Sequence, residues 1–265
     1  MKIATWNVNS VRSRIDRVMG VLERHDLDVL LLQETKCRDD QFPTLDLAAK
    51  GYELAHHGLN QWNGVAVISR VGLDDVQIGF PSMPGFGDPV APEARAIGAS
   101  CDGVRVWSLY VPNGREIDHP HYHYKLEWLA GLRNDAAGWL ADDPEAQILL
   151  AGDWNIAPLD EDVWSVAYFA DKTHTSEPER AAFRAVLLDE YQDTGHAQRV
   201  LLRSLFAGDE STTVTAVGDP FQSIYGWRGA SAANLPRFVT DFPRVDEHGE
   251  WVAAARHGLL TSFRN

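Results

Sequence analysis

Residues 147–158, QILLAGDWNIAP, decide the fold of this chain. The run Ile148-Leu149-Leu150-Ala151 is short, uninterrupted and bounded by an acidic loop before it and Gly152 after it, which reads as a strand buried on both faces. Gly152 permits a sharp turn, and Asp153 and Asn155, two apart in extended chain, project to the same side from the strand's carboxyl end. A carboxylate and an amide held there suit a hard metal ion, a water nucleophile or a phosphate. Taken alone, the same residues also describe an ordinary strand followed by an Asp/Asn turn.

Working outward, residues 2–9, KIATWNVN, alternate as a strand that ends in two asparagines, and residues 28–34, DVLLLQE, are an apolar run ending in Gln33 and Glu34. Three strands that terminate in Asn, Gln, Glu or Asp imply one polar pocket at one edge of a sheet. Between the first two, Val11, Ile15, Val18, Val21 and Leu22 fall at helical spacing over residues 10–23, with Ser10 as the cap. Residues 53–57 and 64–70 read as adjacent strands, and residues 79–92, GFPSMPGFGDPVAP, as a loop. Residues 95–101 and 104–111 read as a hairpin turning at Asp102-Gly103. Residues 122–140 form an amphipathic helix that leads into the deciding strand. His121 and His123 alternate beside Asp118-His119 and could bind a metal, but read better as part of a solvated loop.

The chain has 265 residues, 45% hydrophobic and 23% charged, enough for one large domain or two small ones. A formal net charge of -14 argues against holding nucleic acid by bulk positive charge, so any DNA contact is expected from a local basic or metal-bearing site. Cys37 and Cys101 are too few for a disulfide framework and lack metal-ligand spacing. No apolar run approaches the ~20 residues of a membrane span, and the first residues enter a strand directly. The expectation is a soluble, cytoplasmic, monomeric chain without a membrane partner.

The segments TWNVNSVRSR, LLQETK, GVAVISR, EARAIGA, SLYVPNG, LLAGDWNIAP and THTSEPERAAF, in this order over residues 1–185, closely resemble the exonuclease III family of apurinic/apyrimidinic endonucleases, within the endonuclease/exonuclease/phosphatase superfamily. The resemblance implies an α/β fold, a four-layer α/β sandwich, here incomplete. It also implies Mg²⁺-dependent hydrolysis of phosphodiester bonds, with Mn²⁺ as the alternative ion. The partner would be double-stranded DNA with abasic sites or 3′ ends. Glu34 would hold the metal and Asn7 would help place the metal or the phosphate. Asp153 would orient or deprotonate the water, Asn155 would position Asp153 or the phosphate, and Tyr110 would donate to the phosphate. The family also uses a later Asp paired with a His, and a terminal Ser-Asp-His segment. The sequence carries neither, since its single Asp-His dipeptide, Asp118-His119, precedes the long helix. Loss of members of a site that act as a unit is expected to lower the rate by orders of magnitude.

After residue 185 the text changes. Residues 186–194, VLLDEYQDT, read as a second apolar strand with acids at its end; a helix is expected over 196–206, and residues 212–229, TTVTAVGDPFQSIYGWRG, follow. With LLTSFRN at 259–265 these resemble the second to fourth motifs of superfamily 1 DNA repair helicases, so residues 186–265 are expected to be an α/β fragment of a helicase motor domain. The resemblance makes Asp189 a holder of nucleotide-bound Mg²⁺, Glu190 the activator of water and Gln222 a phosphate sensor. It makes Tyr225, Trp227 and Arg228 contacts for single-stranded DNA, and Arg264 the arginine that reaches phosphate. None of Lys2, Lys36, Lys50, Lys125 and Lys172 follows a glycine, so no Gly-Lys-Ser/Thr phosphate loop is present and ATP is not expected to be held. The alternatives to a nuclease are a fragment of an ATP-dependent helicase and a catalytically inactive DNA-binding module.

Overall fold

The computed structural model describes residues 1–143, 146–187, 244–245 and 251–252. The expectations for Asp189, Glu190, Gln222, Tyr225, Trp227, Arg228 and Arg264, and for the elements around them, lie outside the described residues. The chain divides into two compact units, Met1–Val186 and Leu187–Asn265. In the second, Arg244–Val245 and Trp251–Val252 pair as a short antiparallel ribbon, β9 with β10.

In the first unit, β1 (Ile3–Asn7) and β2 (Val29–Gln33) pair in parallel, β2 pairs antiparallel with β4 (Val65–Ser69), and β4 with β3 (Glu53–His57), giving the order β1-β2-β4-β3. The second sheet runs β5-β6-β7-β8, from β5 (Asp74–Ile78) through the hairpin β6 (Ala96–Cys101) and β7 (Val104–Tyr110) to β8 (Ile148–Asp153), which is parallel to β7. The hairpin turns at Asp102 and Gly103, with φ of 48° and 79°; positive φ at both central residues matches the right-handed twist of the strands they join.

Alternation along the strands builds the layers. Val29, Leu31, Val65 and Val67 meet Ile97, Ala99 and Val106 between the sheets, while Leu30, Leu32, Ala66 and Ile68 face outward onto Val18, Leu22 and Leu47 of helices α1 (Ile15–His25) and α2 (Leu45–Ala49). On the other outer face Trp107 and Leu109 pack against Trp128, Leu129 and Leu132 of α3 (Pro120–Asp142), with Ala182 of α5 (Glu177–Leu187) joining them; the short α4 (Val166–Phe169) precedes α5 in the chain. The result is helix, sheet, sheet, helix, a four-layer α/β sandwich. Each fully buried large aliphatic side chain, such as Leu30 or Ile68, contributes roughly 1.5–3 kcal/mol through loss of water contact.

Four expectations are corrected. The deciding strand β8 is half-buried along its whole length rather than buried on both faces, because among the described residues it has β7 on one side and no strand on the other. Helix α1 begins at Ile15, and Ser10 is not its cap. Asn9 and Ser10 stand in the left-handed region, φ 43° and 82°, and the Ser10 and Val11 amides donate to the carbonyls of Glu34 and Thr35 at 2.7 and 3.1 Å instead of opening a helix. His121 and His123 lie on α3, not in a loop, because Pro120 suits the first helical turn and the His119 ring caps it by accepting from the His121 amide at 3.0 Å. Finally, α5 runs on through Leu187, two residues into the stretch read as a strand. Short apolar runs fit either element by composition, and a helix already formed gains one backbone bond per added residue.

His121 carries a consequence for stability. It is buried, its Nδ1 accepts the Gly114 amide at 3.1 Å, and burial first, then the charges of Arg95 and Arg115, push it down to about 4. The unfolded chain, with His near 6.5, therefore binds the extra proton first as the pH falls. The stability this neutral ring supplies is complete above pH 6.5 and is lost progressively toward pH 4, on the order of 3 kcal/mol. Urea midpoints measured across that window should fall less steeply in H121Q than in the unmodified protein; parallel curves would rule the assignment out.

Candidate functional site

The parallel pairs place four strand ends at one edge of the sandwich. Asn7 ends β1, Glu34 follows β2, Tyr110 ends β7 and Asp153 ends β8 opposite it. One amide joins the two sheets across this edge, for Asn7 Nδ2 donates to Glu34 Oε1 at 2.8 Å and to Asp153 Oδ2 at 2.7 Å. Asn7 Oδ1 accepts the Asn9 amide at 3.1 Å, which fixes the side chain with its donor toward the carboxylates. The Tyr110 hydroxyl donates to the same Glu34 oxygen at 3.0 Å, and Lys36 Nζ lies 2.7 Å from the other. Asn155 donates its backbone N–H to Asp153 Oδ1 at 3.0 Å and its side-chain amide to the Val111 carbonyl at 2.9 Å. Asn7, Glu34, Tyr110, Asp153 and Asn155 are thus brought together in one hydrogen-bonded network.

Burial pushes the Glu34 carboxyl up, but the hydrogen bonds from Asn7, Lys36 and Tyr110 together outweigh it and hold the group below the usual glutamate range. Glu34 is therefore an anion at neutral pH. Burial, then the Glu34 charge, raises the Tyr110 phenol well above its ordinary value, so Tyr110 stays a donor. The Arg95 guanidinium, itself buried, lies 4.9 Å from the Tyr110 ring centroid and pairs with Glu93 at 2.7 Å.

The loops that carry the site are conformationally costly. Asn9, Ser10, Glu34, Lys36, Asn155 and His174 all have positive φ, and such residues persist only where their surroundings hold them. A buried polar pin lies beneath, with Gln33 Nε2 donating to Ser108 Oγ across the sheets at 3.0 Å and Ser108 Oγ donating to the Leu32 carbonyl at 2.9 Å. Gln33, read as a pocket residue, is instead part of this pin.

Sequence reasoning missed a second set of residues. Lys36 and Asn9 flank Glu34, joined to each other at 2.7 Å. The Asn113 side-chain amide approaches both Asn155 Oδ1 at 3.3 Å and His174 Nε2 at 3.0 Å. Behind them Lys125 pairs with Glu179, both fully buried. Lys125 had a signal, since it shares the buried stripe of α3 with His121, Tyr124, Trp128 and Leu129, where a lysine needs a partner. Glu179 had only the Ser176-x-x-Glu179 spacing of a helix start, and His174 had none; the contacts of Glu179 with Lys125 and of His174 with Asn113 cross more than fifty residues of chain.

Chemically, two carboxylates bridged by one amide, with a phenol and an ammonium beside them, are a sparse oxygen-rich set. That suits a hard divalent ion, which takes few protein carboxylates and completes its shell with water. Glu34, held ionised, is the side chain that fits it best. Asp153, oriented by Asn155 and Asn7, fits a water or a hydroxyl.

The profile of the Endonuclease/Exonuclease/phosphatase family matches residues 4–239. Exodeoxyribonuclease III of Haemophilus influenzae is 29% identical over 168 residues, 62% of this chain and 60% of that one. DNA helicase II of Escherichia coli is 48% identical over 76 residues, 29% of this chain and 10% of that one. The chain thus spans less than two thirds of the length of either relative. Among solved structures, the 3′-5′ exonuclease NExo from Neisseria meningitidis superposes with a TM-score of 0.64 at 36% identity, covering 74% of this chain and 75% of that one. An AP endonuclease from Archaeoglobus fulgidus gives 0.63 at 35% identity over 71% and 70%. Nucleases of this family generally use a divalent metal ion, and no helix among the described residues is long and apolar enough to cross a membrane. This chain belongs to the Endonuclease/Exonuclease/phosphatase family.

Proposed function

We propose that the chain is a Mg²⁺-dependent DNA repair nuclease that hydrolyses phosphodiester bonds, as an abasic-site endonuclease and a 3′-5′ exodeoxyribonuclease. The observation that carries the reading is the network of Asn7, Glu34, Tyr110 and Asp153, drawn from four strand ends and two sheets to one edge. The relatives named an exonuclease and an AP endonuclease support the substrate class.

In this reading Glu34 holds Mg²⁺, with Mn²⁺ as the alternative ion; the ion, when bound, neutralises phosphate charge and polarises the scissile group. Asp153 accepts the proton of the attacking water, kept in place by the Asn155 amide. Asn7 holds the two carboxylates together and Tyr110, kept protonated, turns its hydroxyl to the phosphate. Lys36 supplies positive charge at the rim of a chain whose net charge is -14, which favours a local electrostatic foothold on DNA over a broad one. The family's later Asp and His, which these 265 residues do not carry, would add to the rate of this core.

The likeness of a separate segment to DNA helicase II supports a second reading, that residues 186–265 are a helicase fragment with no phosphate loop to hold ATP. The proposed domain arrangement is a nuclease unit over 1–185 followed by that fragment, acting as a cytoplasmic monomer on double-stranded DNA.

The test is incision of an end-labelled duplex containing one abasic site, in Mg²⁺ and in excess chelator. Cleavage at the abasic site in Mg²⁺ alone supports the nuclease. Binding of the duplex without cleavage under either condition would favour the inactive DNA-binding module.

A further inference from the structure

Lys125, fully buried on α3, has three acceptors. It faces the buried carboxylate of Glu179 on α5, and it donates to the backbone carbonyls of Asn155 at 2.6 Å and Asn113 at 3.4 Å. Glu179 is equally saturated, with Thr173 Oγ1 at 2.7 Å from one oxygen and the Ser176 amide and hydroxyl at 3.2 and 2.6 Å from the other. The fit is close, since a Cβ on Gly114 would stand 2.4 Å from Thr173 Oγ1 and 3.3 Å from Lys125 Cδ.

A buried ion pair of this kind is weak evidence for stability, because well-packed apolar side chains of similar volume usually serve the fold as well or better. Its geometry explains its presence differently. Asn155 stands at φ 49°, and from that strained position its N–H reaches the Asp153 carboxylate while its side chain reaches Val111. The carbonyl that Lys125 grips belongs to this same residue. Asn113, whose carbonyl is the second acceptor of Lys125, sends its amide to the Asn155 side chain. From these contacts we infer that the Lys125–Glu179 pair is a positioning device: by fixing the backbone of Asn155 and Asn113 it aims the Asp153 carboxylate and holds the two amides at the lip of the site.

The activity arm of the test rests on the nuclease reading, and a spectroscopic arm does not. In the full chain, K125M/E179M removes both charges together and so avoids leaving one buried alone. The thermal midpoint is expected to stay within a few degrees. The kcat for abasic-duplex incision is expected to fall about 10- to 100-fold with little change in KM, the loss typical of removing a group that orients a site residue. The side-chain amide resonances of Asn113 and Asn155 should shift and broaden. E179Q, which keeps the shape of the pair and much of its hydrogen bonding, should show a smaller loss of the same kind and serves if the double variant does not fold. Wild-type kcat with unchanged Asn155 resonances, in either variant that folds, would overturn the inference. Should the unmodified protein incise no DNA, the nuclease reading fails by itself, and the amide resonances still decide whether the pair positions Asn155.

Discussion

Replacing Glu34 by Gln should abolish Mg²⁺-dependent incision while leaving the fold intact. Gln keeps the shape of the side chain and both donors that reach Glu34 Oε1, Asn7 and Tyr110, still find an oxygen. What disappears is the charge, which hydrogen bonds from Asn7, Lys36 and Tyr110 hold in the ionised form against the effect of burial. A divalent ion bound through few protein carboxylates loses most of its affinity when one of them is neutralised. The transition-state stabilisation it supplies is worth several kcal/mol, so a loss of roughly 10³-fold in kcat/KM is expected. Raising the Mg²⁺ concentration should recover part of it. Full activity of E34Q at low Mg²⁺ would remove Glu34 from the site.

The second large effect is structural. Gly152 lies in β8 opposite Leu109 in β7, with φ 154°, and a Cβ there would stand 1.9 Å from the Leu109 carbonyl oxygen. No rotamer change relieves a clash between a Cβ and a backbone atom. In G152A the strands must separate or β8 must shift, and either movement displaces Asp153, the next residue. The cost is roughly 3 kcal/mol from strain and overpacking, which corresponds to a Tm lower by about 6–12 °C. Incision should fall with it even at temperatures where the variant is folded. A Tm within a degree of the unmodified protein would show that this close approach is not a feature of the folded chain.

The two positions also mark what could be read from the sequence. Strand ends carrying Asn7, Glu34, Tyr110 and Asp153 were legible because their apolar runs are short and end in residues that turns rarely need in that combination. Gly152 was legible as special but for the wrong reason. A turn was expected, whereas the glycine serves a close strand approach and the chain stays extended through Asp153. Edge position was hidden, since an apolar run such as ILLA is equally compatible with a central and an edge strand. β5 escaped notice because Asp74 and Asp75 open it and most of it is exposed, so it lacks the apolar alternation that marks a strand. The second set of residues was hidden for a different reason. Lys125, His174 and Glu179 act through contacts between α3, α5 and the loops after β7 and β8, which no local spacing encodes.

The most direct test of a metal-dependent site at these strand ends is to locate the ion. Crystals of the unmodified protein and of E34Q, soaked in Mn²⁺ as a visible substitute for Mg²⁺, can be compared by anomalous diffraction. A peak within coordinating distance of the Glu34 carboxylate, weakened or lost in E34Q, is the predicted result. A peak at another site, unchanged by the substitution, would contradict the account.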